Sequence, residues 1–482
     1  MDGPSGVVFP RGGDGGARST SALGRSVVAD ALRGTDPVGA RAAEHETNWR
    51  SGYLLHFRRL LEAGLTSAEA AQRIAANGLA SLHERMRVVP PEGGETGLPE
   101  WLDAQVTDPL STEVVTGRGQ PDREFSLPYR GQRLRGDDLQ RQLDTWVDGG
   151  IVEPSCAEAV RQVADNPDWL DTSDLRVVVL GAGAEMGPVH SLLRWGGDVA
   201  AVDLPHKPIW EQLLATARRY AGRLHVPVRG DGELARRAGA DLLHDLPAVA
   251  HWLRQFGQRL VIGNYAYADG GTHVRVATAA DALTAHLLAH RPDSALSFLA
   301  TPTDVYAVPA EAVAHSRQVY QRRRTLARPV RWLTAGRVLH RNYPPGADPG
   351  IIDCLVPQQG PNYALAKRVQ RWRATTERAA GRTVSFTVAP MTRTRSVLKN
   401  RVLAAAYAGA HVFGVEVFEP ATSNTLMAAL LVHELRNPAP PREHPWRDEA
   451  AGAAHGGVWR VAYAPRSALG LAAVIGVGGA RH

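Results

Sequence analysis

The stretch Arg176-Val-Val-Val-Leu-Gly-Ala-Gly-Ala-Glu-Met-Gly187 decides how this chain is read. Four apolar residues in a row, Val177 to Leu180, have the pattern of a strand covered on both faces. They run straight into Gly181, Gly183 and Gly187; Pro188 to Trp195 then reads as helix, and Asp198-Val-Ala-Ala-Val-Asp203 as a second strand. Strand, glycine turn, helix and acid-tipped strand describe a nucleotide-binding βαβ unit. Gly181 permits the tight turn and Gly183 a close backbone approach to a pyrophosphate. Met186 and Gly187 lead into a helix whose free N–H groups attract phosphate. Asp203 stands where a carboxylate accepts hydrogen bonds from a ribose diol. The third glycine comes one residue late, giving GxGxxxG. Asp203 would repel a 2′-phosphate, which favours NAD(H); His206 and Lys207 follow closely enough to offset that, so NADP(H) stays open.

Outward from this unit the rhythm continues. Helix over Ile209–Ala221, strand over Arg223–Val228, strand over Leu260–Tyr265, helix over Thr272–His290 and strand over Ala295–Ala300 alternate as a parallel sheet requires. The predicted fold is α/β, a doubly wound parallel Rossmann-type sheet with a helical N-terminal extension. Residues 1–45, rich in Gly, Ser, Arg and Asp without periodicity, are expected to be a disordered leader. Residues 46–170 are expected to form the helical extension, with a capping box at Thr66-Ser-Ala-Glu69 and helices over Asp137–Val147 and from Ser155. These pieces read as structural packing, with the walling of a substrate pocket as the minority alternative. Pro90 to Pro121 reads as a linker or surface loop. Residues 171–482 are assigned to the Rossmann domain, interrupted by an insertion around 304–360. An arginine-rich run there (Arg317, Arg322, Arg323, Arg324, Arg328, Arg331) is expected to be a solvated helix face, with a phosphate- or carrier-docking patch as the alternative.

Composition narrows the class. The apolar fraction of 44% and charged fraction of 22% are globular values. The net charge of +6 rests on arginine, with lysine only at 207, 367 and 399. With abundant alanine, that pattern follows from a GC-rich genome and argues weakly for nucleic acid, which is not expected as a partner. Two cysteines, Cys156 and Cys354, make neither a disulfide framework nor a metal cluster and suit a cytoplasmic location. No basic-then-apolar leader and no run near the ~20 apolar residues of a membrane span are present.

The chemistry-bearing segment is Gly360-Pro-Asn-Tyr-Ala-Leu-Ala-Lys367, which opens a helix. Tyr363 and Lys367 are one helical turn apart and share a face. A nearby ammonium stabilises a phenolate, so Tyr363 is expected to titrate lower than a free tyrosine and to act as acid or base. The strand Thr383-Val-Ser-Phe-Thr-Val-Ala-Pro390 follows.

At these residues the chain resembles the short-chain dehydrogenase/reductase family, from about Leu175 to the C-terminus. The resemblance implies a catalytic pair, with Tyr363 as proton donor and acceptor and Lys367 binding the nicotinamide ribose. It further implies that Thr383–Pro390 is the sixth strand, that Thr392 or Thr394 touches the carboxamide, that Asp241 contacts adenine, and that Asn264 ends the fourth strand as a structural asparagine at the cofactor. Asn424–Leu435 is similar to the late helix before a last strand. No serine stands a dozen residues before Tyr363; the oxyanion hydroxyl is assigned to Thr301 or Thr303, after strand five at Ala295–Ala300. Were strand five Gly350–Val356, only Cys354 or Gln358 would be available. Helix Thr272–His290 carries no asparagine.

The expected activity is hydride transfer between NAD(H) and a carbonyl or alcohol of a small-molecule substrate. A methyltransferase using S-adenosylmethionine, or a protein that binds NAD without catalysis, are the alternatives. No metal site is expected, because His286 and His290 stand a turn apart without a third ligand. Oligomeric state stays open, although the resemblance points to a homo-oligomer paired through the long helices that bracket Tyr363.

Overall fold

Val177, Val178, Val179 and Leu180 are completely buried, and the strand they belong to is the hinge of the topology. The computed structural model describes residues 5–12 and 16–479. Its central sheet has seven strands: β1 (Ser111–Thr116), β2 (Leu175–Leu180), β3 (Asp198–Val202), β4 (Arg223–Val228), β5 (Arg259–Asn264), β6 (Ala295–Ala300) and β7 (Val384–Val388), in the order β7-β6-β5-β2-β3-β4-β1. Strands β2 to β7 run parallel. Taken in chain order, those six lie 3-2-1-4-5-6, the Rossmann arrangement, with the direction of winding reversing between β2 and β5. The crevice at that reversal, outside the carboxyl ends of the strands, is where such sheets bind ligands.

Alternation along the strands splits the core into two layers. Val178, Leu180, Ala200, Val202 and Ile262 face one side; Val177, Val179, Ala201, Leu224 and Val261 face the other. The first 170 residues supply part of both. Helices α1 (Thr20–Arg33), α2 (Pro37–Glu44), α3 (Trp49–Gly64) and α4 (Ala68–Arg85) cover the first layer through Trp49, Tyr53 and Phe57. Residues from Phe125 to Leu170 cover the second through Trp146 and Val160.

Three sequence expectations change here. Much of the expected leader is ordered: α1 buries Leu23, Val27, Val28 and Leu32, and Ser19 caps it by accepting from the Ala22 N–H at 3.2 Å. The polar composition of residues 1–45 conceals an apolar stripe at helical spacing; residues 1–4 and 13–15 lie outside the described residues. The Pro90–Pro121 segment is not all loop, because β1 pairs antiparallel with β4 along its full length, Ser111 opposite Val228 and Thr116 opposite Arg223. Pairing on one edge only leaves β1 half polar, which is why it lacks a strand-like apolar run. Finally, helix Pro420–Arg436 is followed by no further strand of the sheet among the described residues. Asn437-Pro-Ala-Pro-Pro441 comes next, and its prolines cannot donate to a ladder.

The 304–360 insertion is a two-stranded ribbon, Val305–Val308 against Gly350–Asp353, enclosing the helix Ala310–Leu333. On that helix Arg317, Arg322 and Arg328 are exposed. Two helices frame the crevice: α5 (Gly270–His290) and α6 (Gly360–Ala379). Ion pairs buried on both sides of α6 fix its position. Arg373 donates to both oxygens of Asp281 on α5 at 2.8 Å, and His83 of α4 reaches the same carboxylate at 2.7 Å. Arg371 pairs with Glu449, and Arg368 donates to Asp304 at 2.6 Å.

Candidate functional site

Gly181 ends β2 with φ +84, and a Cβ there would stand 2.6 Å from the Ala266 Cα. Only glycine fits, so the backbones leaving β2 and β5 approach closely and open a cavity beyond them. That cavity has a volume of about 1740 Å³, larger than the several hundred cubic ångströms usual for one small ligand. One end is walled by Gly181, Gly183, Met186, Asp203 and Asp241. The other is walled by Thr301, Thr303, Tyr363, Lys367, Thr392 and Thr394.

At the first end, Asp203 Oδ2 accepts the Gly183 N–H at 2.7 Å and Oδ1 accepts its neighbour Leu204 N–H at 2.8 Å. The turn thus closes on the acid at the tip of β3, and the Gly183 N–H is engaged by that acid rather than free for phosphate. Burial raises the Asp203 carboxyl above the ordinary aspartate range, with the two N–H donors opposing it. The helix after the turn is short, Val189–Arg194. Asp241 folds back on its own loop, accepting from the Leu243 N–H at 2.8 Å and lying 2.9 Å from His244 Nδ1.

Two predicted residues do not reach the cavity. Gly187 sits behind the turn, where a Cβ would meet the Ala184 carbonyl at 3.2 Å. Asn264 is 2% exposed, and its Oδ1 accepts the Ala266 N–H at 3.3 Å. It secures the end of β5 from within, as a structural asparagine, and is corrected from a cofactor contact to a strand cap.

At the second end the hydroxyl cluster is compact. Thr301 and Thr303 share a hydrogen bond of 2.7 Å, and Gln359 donates to Thr303. Thr392 is tied to Pro390 and Ser423 at 2.9 and 2.7 Å, and Thr394 to Ser396 at 3.0 Å. Tyr363 and Lys367 occupy the first turns of α6. Burial raises the Tyr363 phenol above the ordinary tyrosine value, while the Thr301 hydroxyl beside it works in the opposite direction. The expectation of a lowered tyrosine is therefore reversed. The Lys367 ammonium donates instead to the Leu299 carbonyl at 3.3 Å and to Gln370 Oε1 at 3.2 Å. Its own pKa is pushed down to about 8 by burial, so at neutral pH most of it remains charged.

Several groups at this end carry no sequence signal. Tyr267 and His273 pack edge-on and tilted against Tyr363, with ring centroids 6.4 and 5.5 Å away. Tyr407, from the helix Arg401–Gly409, donates to Met391 Sδ at 3.7 Å and lines the same wall. Arg50, at the start of α3, also lines the cavity, so the N-terminal extension contributes a residue to its wall. A lone aromatic or histidine outside a spaced motif gives no reason to be singled out. Among the described residues, no group of three or more His, Cys, Asp or Glu could hold a metal ion. No helix there is long and apolar enough to cross a membrane.

No family model and no curated protein sequence matches the chain. Among solved structures it is similar to an A1-type ketoreductase, with 14% identity over 54% of this chain and 46% of the other, at a TM-score of 0.32. A 3-oxoacyl-[acyl-carrier protein] reductase from Brucella melitensis matches with 12% identity over 52% and 82% of the two chains, TM-score 0.29. A mutant short-chain dehydrogenase/reductase from Serratia marcescens matches with 12% identity over 60% and 98%, TM-score 0.31. The match spans less than half of the ketoreductase chain.

Proposed function

We propose that the protein is an NAD(H)-dependent oxidoreductase that interconverts a carbonyl and an alcohol, with Tyr363 exchanging the proton at the substrate oxygen. One observation carries the reading: a glycine turn closed on an acid and a tyrosine–lysine pair line opposite ends of one cavity at the reversal point of a Rossmann sheet. The residues fit the cofactor. The glycine turn with Met186 would lie along the pyrophosphate, Asp203 would accept the adenosine ribose hydroxyls, and Asp241 would border the adenine. Thr392 and Thr394 would meet the carboxamide. When bound, the nicotinamide supplies or takes the hydride. Tyr363 then holds the proton at its hydroxyl, Thr301 presents a second hydroxyl to the same substrate oxygen, and Lys367 places positive charge behind them.

Burial keeps the Tyr363 phenol protonated at neutral pH, the form that gives its proton to a carbonyl oxygen in reduction. A second reading, binding of NAD(H) without turnover, is favoured by the Lys367 ammonium being engaged with Leu299 and Gln370. Methyl transfer from S-adenosylmethionine would leave Tyr363 and Lys367 without a task. Titration of the purified protein with NADH and with S-adenosylmethionine, followed by tryptophan fluorescence, tests the proposal. Saturable binding of NADH alone is expected; binding of S-adenosylmethionine alone overturns it. Turnover of a panel of ketones and alcohols separates the oxidoreductase from the silent binder.

A further inference from the structure

Gln359 stands just ahead of α6, at the far end of the 304–360 insertion, and lines the cavity together with Thr301 and Thr303. Its amide is held at both ends. The Oε1 accepts the Val356 N–H at 3.2 Å, while the Nε2 donates to the Thr303 carbonyl at 3.2 Å and to the Thr303 hydroxyl. These backbone partners fix which way round the amide lies, because the Val356 N–H needs an acceptor and the Thr303 carbonyl a donor. An amide nitrogen can only donate, so the Thr303 hydroxyl accepts from it.

That sense passes along the chain of hydroxyls. Thr303 Oγ1 lies 2.7 Å from Thr301 Oγ1, and on distance alone either could donate. Were Thr301 the donor, the Thr303 proton would find no acceptor among the described residues. With Thr303 as donor, that proton is placed. Thr301 Oγ1 then accepts both this hydroxyl and the Thr303 N–H at 3.3 Å, which turns its own proton outward. Outward lie the Tyr363 phenol and the cavity. The frame is firm, since Thr301 is 8% exposed and the buried Tyr306 donates to its carbonyl at 2.6 Å.

We propose that Gln359 is a positioning residue that, through Thr303, aims the Thr301 hydroxyl at the substrate oxygen. The inference rests on the oxidoreductase reading. Hydrogen bonds that all run in one sense polarise one another. The last hydroxyl therefore offers more to the negative charge that builds on a carbonyl oxygen as it is reduced. No proton moves along the chain in this scheme, and Gln359 acts only through the two threonines.

Gln359→Glu keeps the shape and reverses the sense. An ionised carboxylate only accepts, so it draws the Thr303 hydroxyl away from Thr301; once protonated, it can donate again. The other charged and titratable groups around this corner are unaltered: Asp304 and Cys354 of the insertion, Tyr363 and Lys367 on α6, and Arg50 and Tyr53 on α3. In the full chain, at pH 7.5 with NADH and the best carbonyl of the panel, Gln359→Glu is expected to lower kcat by about 10- to 10²-fold. That is less than the 10²- to 10³-fold of a lost oxyanion donor. NADH affinity holds, and kcat recovers as pH falls and the carboxyl takes up a proton. In a Thr303→Val background, where the chain is already cut, the same substitution changes kcat no further. Wild-type kcat and pH profile in Gln359→Glu, or an equal loss in both backgrounds, overturns the proposal. A second measurement needs no turnover. In 15N-glutamine spectra, with Gln359 identified by its loss in Gln359→Leu, Thr303→Val is expected to shift the side-chain NH2 protons upfield. Unmoved resonances also overturn the proposal. Should the wild type bind NADH yet reduce no carbonyl, the oxidoreductase reading fails, and these resonances still decide whether the amide donates to Thr303.

Discussion

Trp372 on α6 lies directly against Gly78 on α4: a Cβ on Gly78 would stand 2.5 Å from the indole Cζ3. Gly78 sits inside a helix, where alanine is ordinarily better by about 1 kcal/mol. A methyl group pressed into a rigid indole costs about 1–3 kcal/mol. At 2.5 Å from a rigid indole the clash outweighs propensity, and Gly78→Ala is expected to lower the unfolding free energy by up to about 2 kcal/mol. In a Trp372→Ala background the sign reverses, because the space is open and only helix propensity remains. Urea unfolding of the four proteins reads both results. Equal effects in the two backgrounds would show that α4 does not seat on Trp372.

Acid sensitivity follows from Glu153, which is buried and pairs with Arg460 at 2.6 Å and with His455 at 3.0 Å. Burial alone would raise its carboxyl, but Arg460 overrides that and holds it down at about 2. A depressed folded pKa gives stability that is complete above the unfolded value near 4.5 and is lost as pH falls toward 2. The loss amounts to about 3 kcal/mol as an order of magnitude. Glu153→Gln is expected to flatten that part of the stability curve, at a cost of about 3–5 kcal/mol at neutral pH for leaving Arg460 unpaired. Denaturant unfolding between pH 5 and pH 2, on the wild type and this variant, makes the comparison; parallel curves would remove Glu153 from the account.

Asp203 is held by two backbone N–H groups at the tip of β3. Replacing it with asparagine keeps the shape and removes the charge that would repel a 2′-phosphate. Asp203→Asn is therefore expected to weaken NADH and strengthen NADPH, changing their affinity ratio by about tenfold, or 1.4 kcal/mol. Fluorescence titration with both nucleotides reads the ratio. An unchanged ratio would mean that the carboxylate does not face the ribose.

What the sequence makes legible, and what it hides, follows from how each element is buried. The six parallel strands announce themselves because both faces are covered, which demands largely apolar runs such as Val177–Leu180, unbroken, and Ala295–Ala300, interrupted only by Ser297. Strand β1 pairs on one edge and alternates, so its sequence Ser-Thr-Glu-Val-Val-Thr passes for a loop. Helix α1 is hidden because its stripe of Leu23, Val27, Val28 and Leu32 sits within a segment that is otherwise polar and rich in small residues. The glycine turn, Asp203 and Tyr363 are readable since each belongs to a motif with fixed spacing. His273 is not, because its packing against Tyr363 joins two helices far apart in the sequence. Spacing gives the wrong sign for the pKa of Tyr363 for a related reason. It puts Lys367 nearby, but only the packed structure shows how much burial opposes ionisation and where the ammonium is bonded.

Tyr363→Phe removes one oxygen and leaves the ring packed against His273 and Tyr267. Under the proposed function, carbonyl turnover is expected to fall by at least about 10²-fold while NADH affinity holds. The contrast between kcat and the dissociation constant is the decisive readout. Turnover near wild type would strip Tyr363 of its assigned role and leave the fold untouched.

Lys367 supplies the last prediction, because its titration falls in an accessible range. Burial lowers it to about 8, whereas a tyrosine raised by burial stays protonated at that pH. As pH rises through 8, the ammonium loses its proton and the charge behind Tyr363 disappears. Carbonyl reduction is then expected to decline by up to about tenfold per pH unit above 8, with the proton donor itself unchanged. Lys367→Arg keeps its charge at every accessible pH and should carry activity, at whatever level it survives, without that decline. A wild-type profile that is flat from pH 7 to 9.5 would mean that the amine serves only to hold Leu299 and Gln370. Tyr363 would then act on its own, with Thr301 as its sole polar helper.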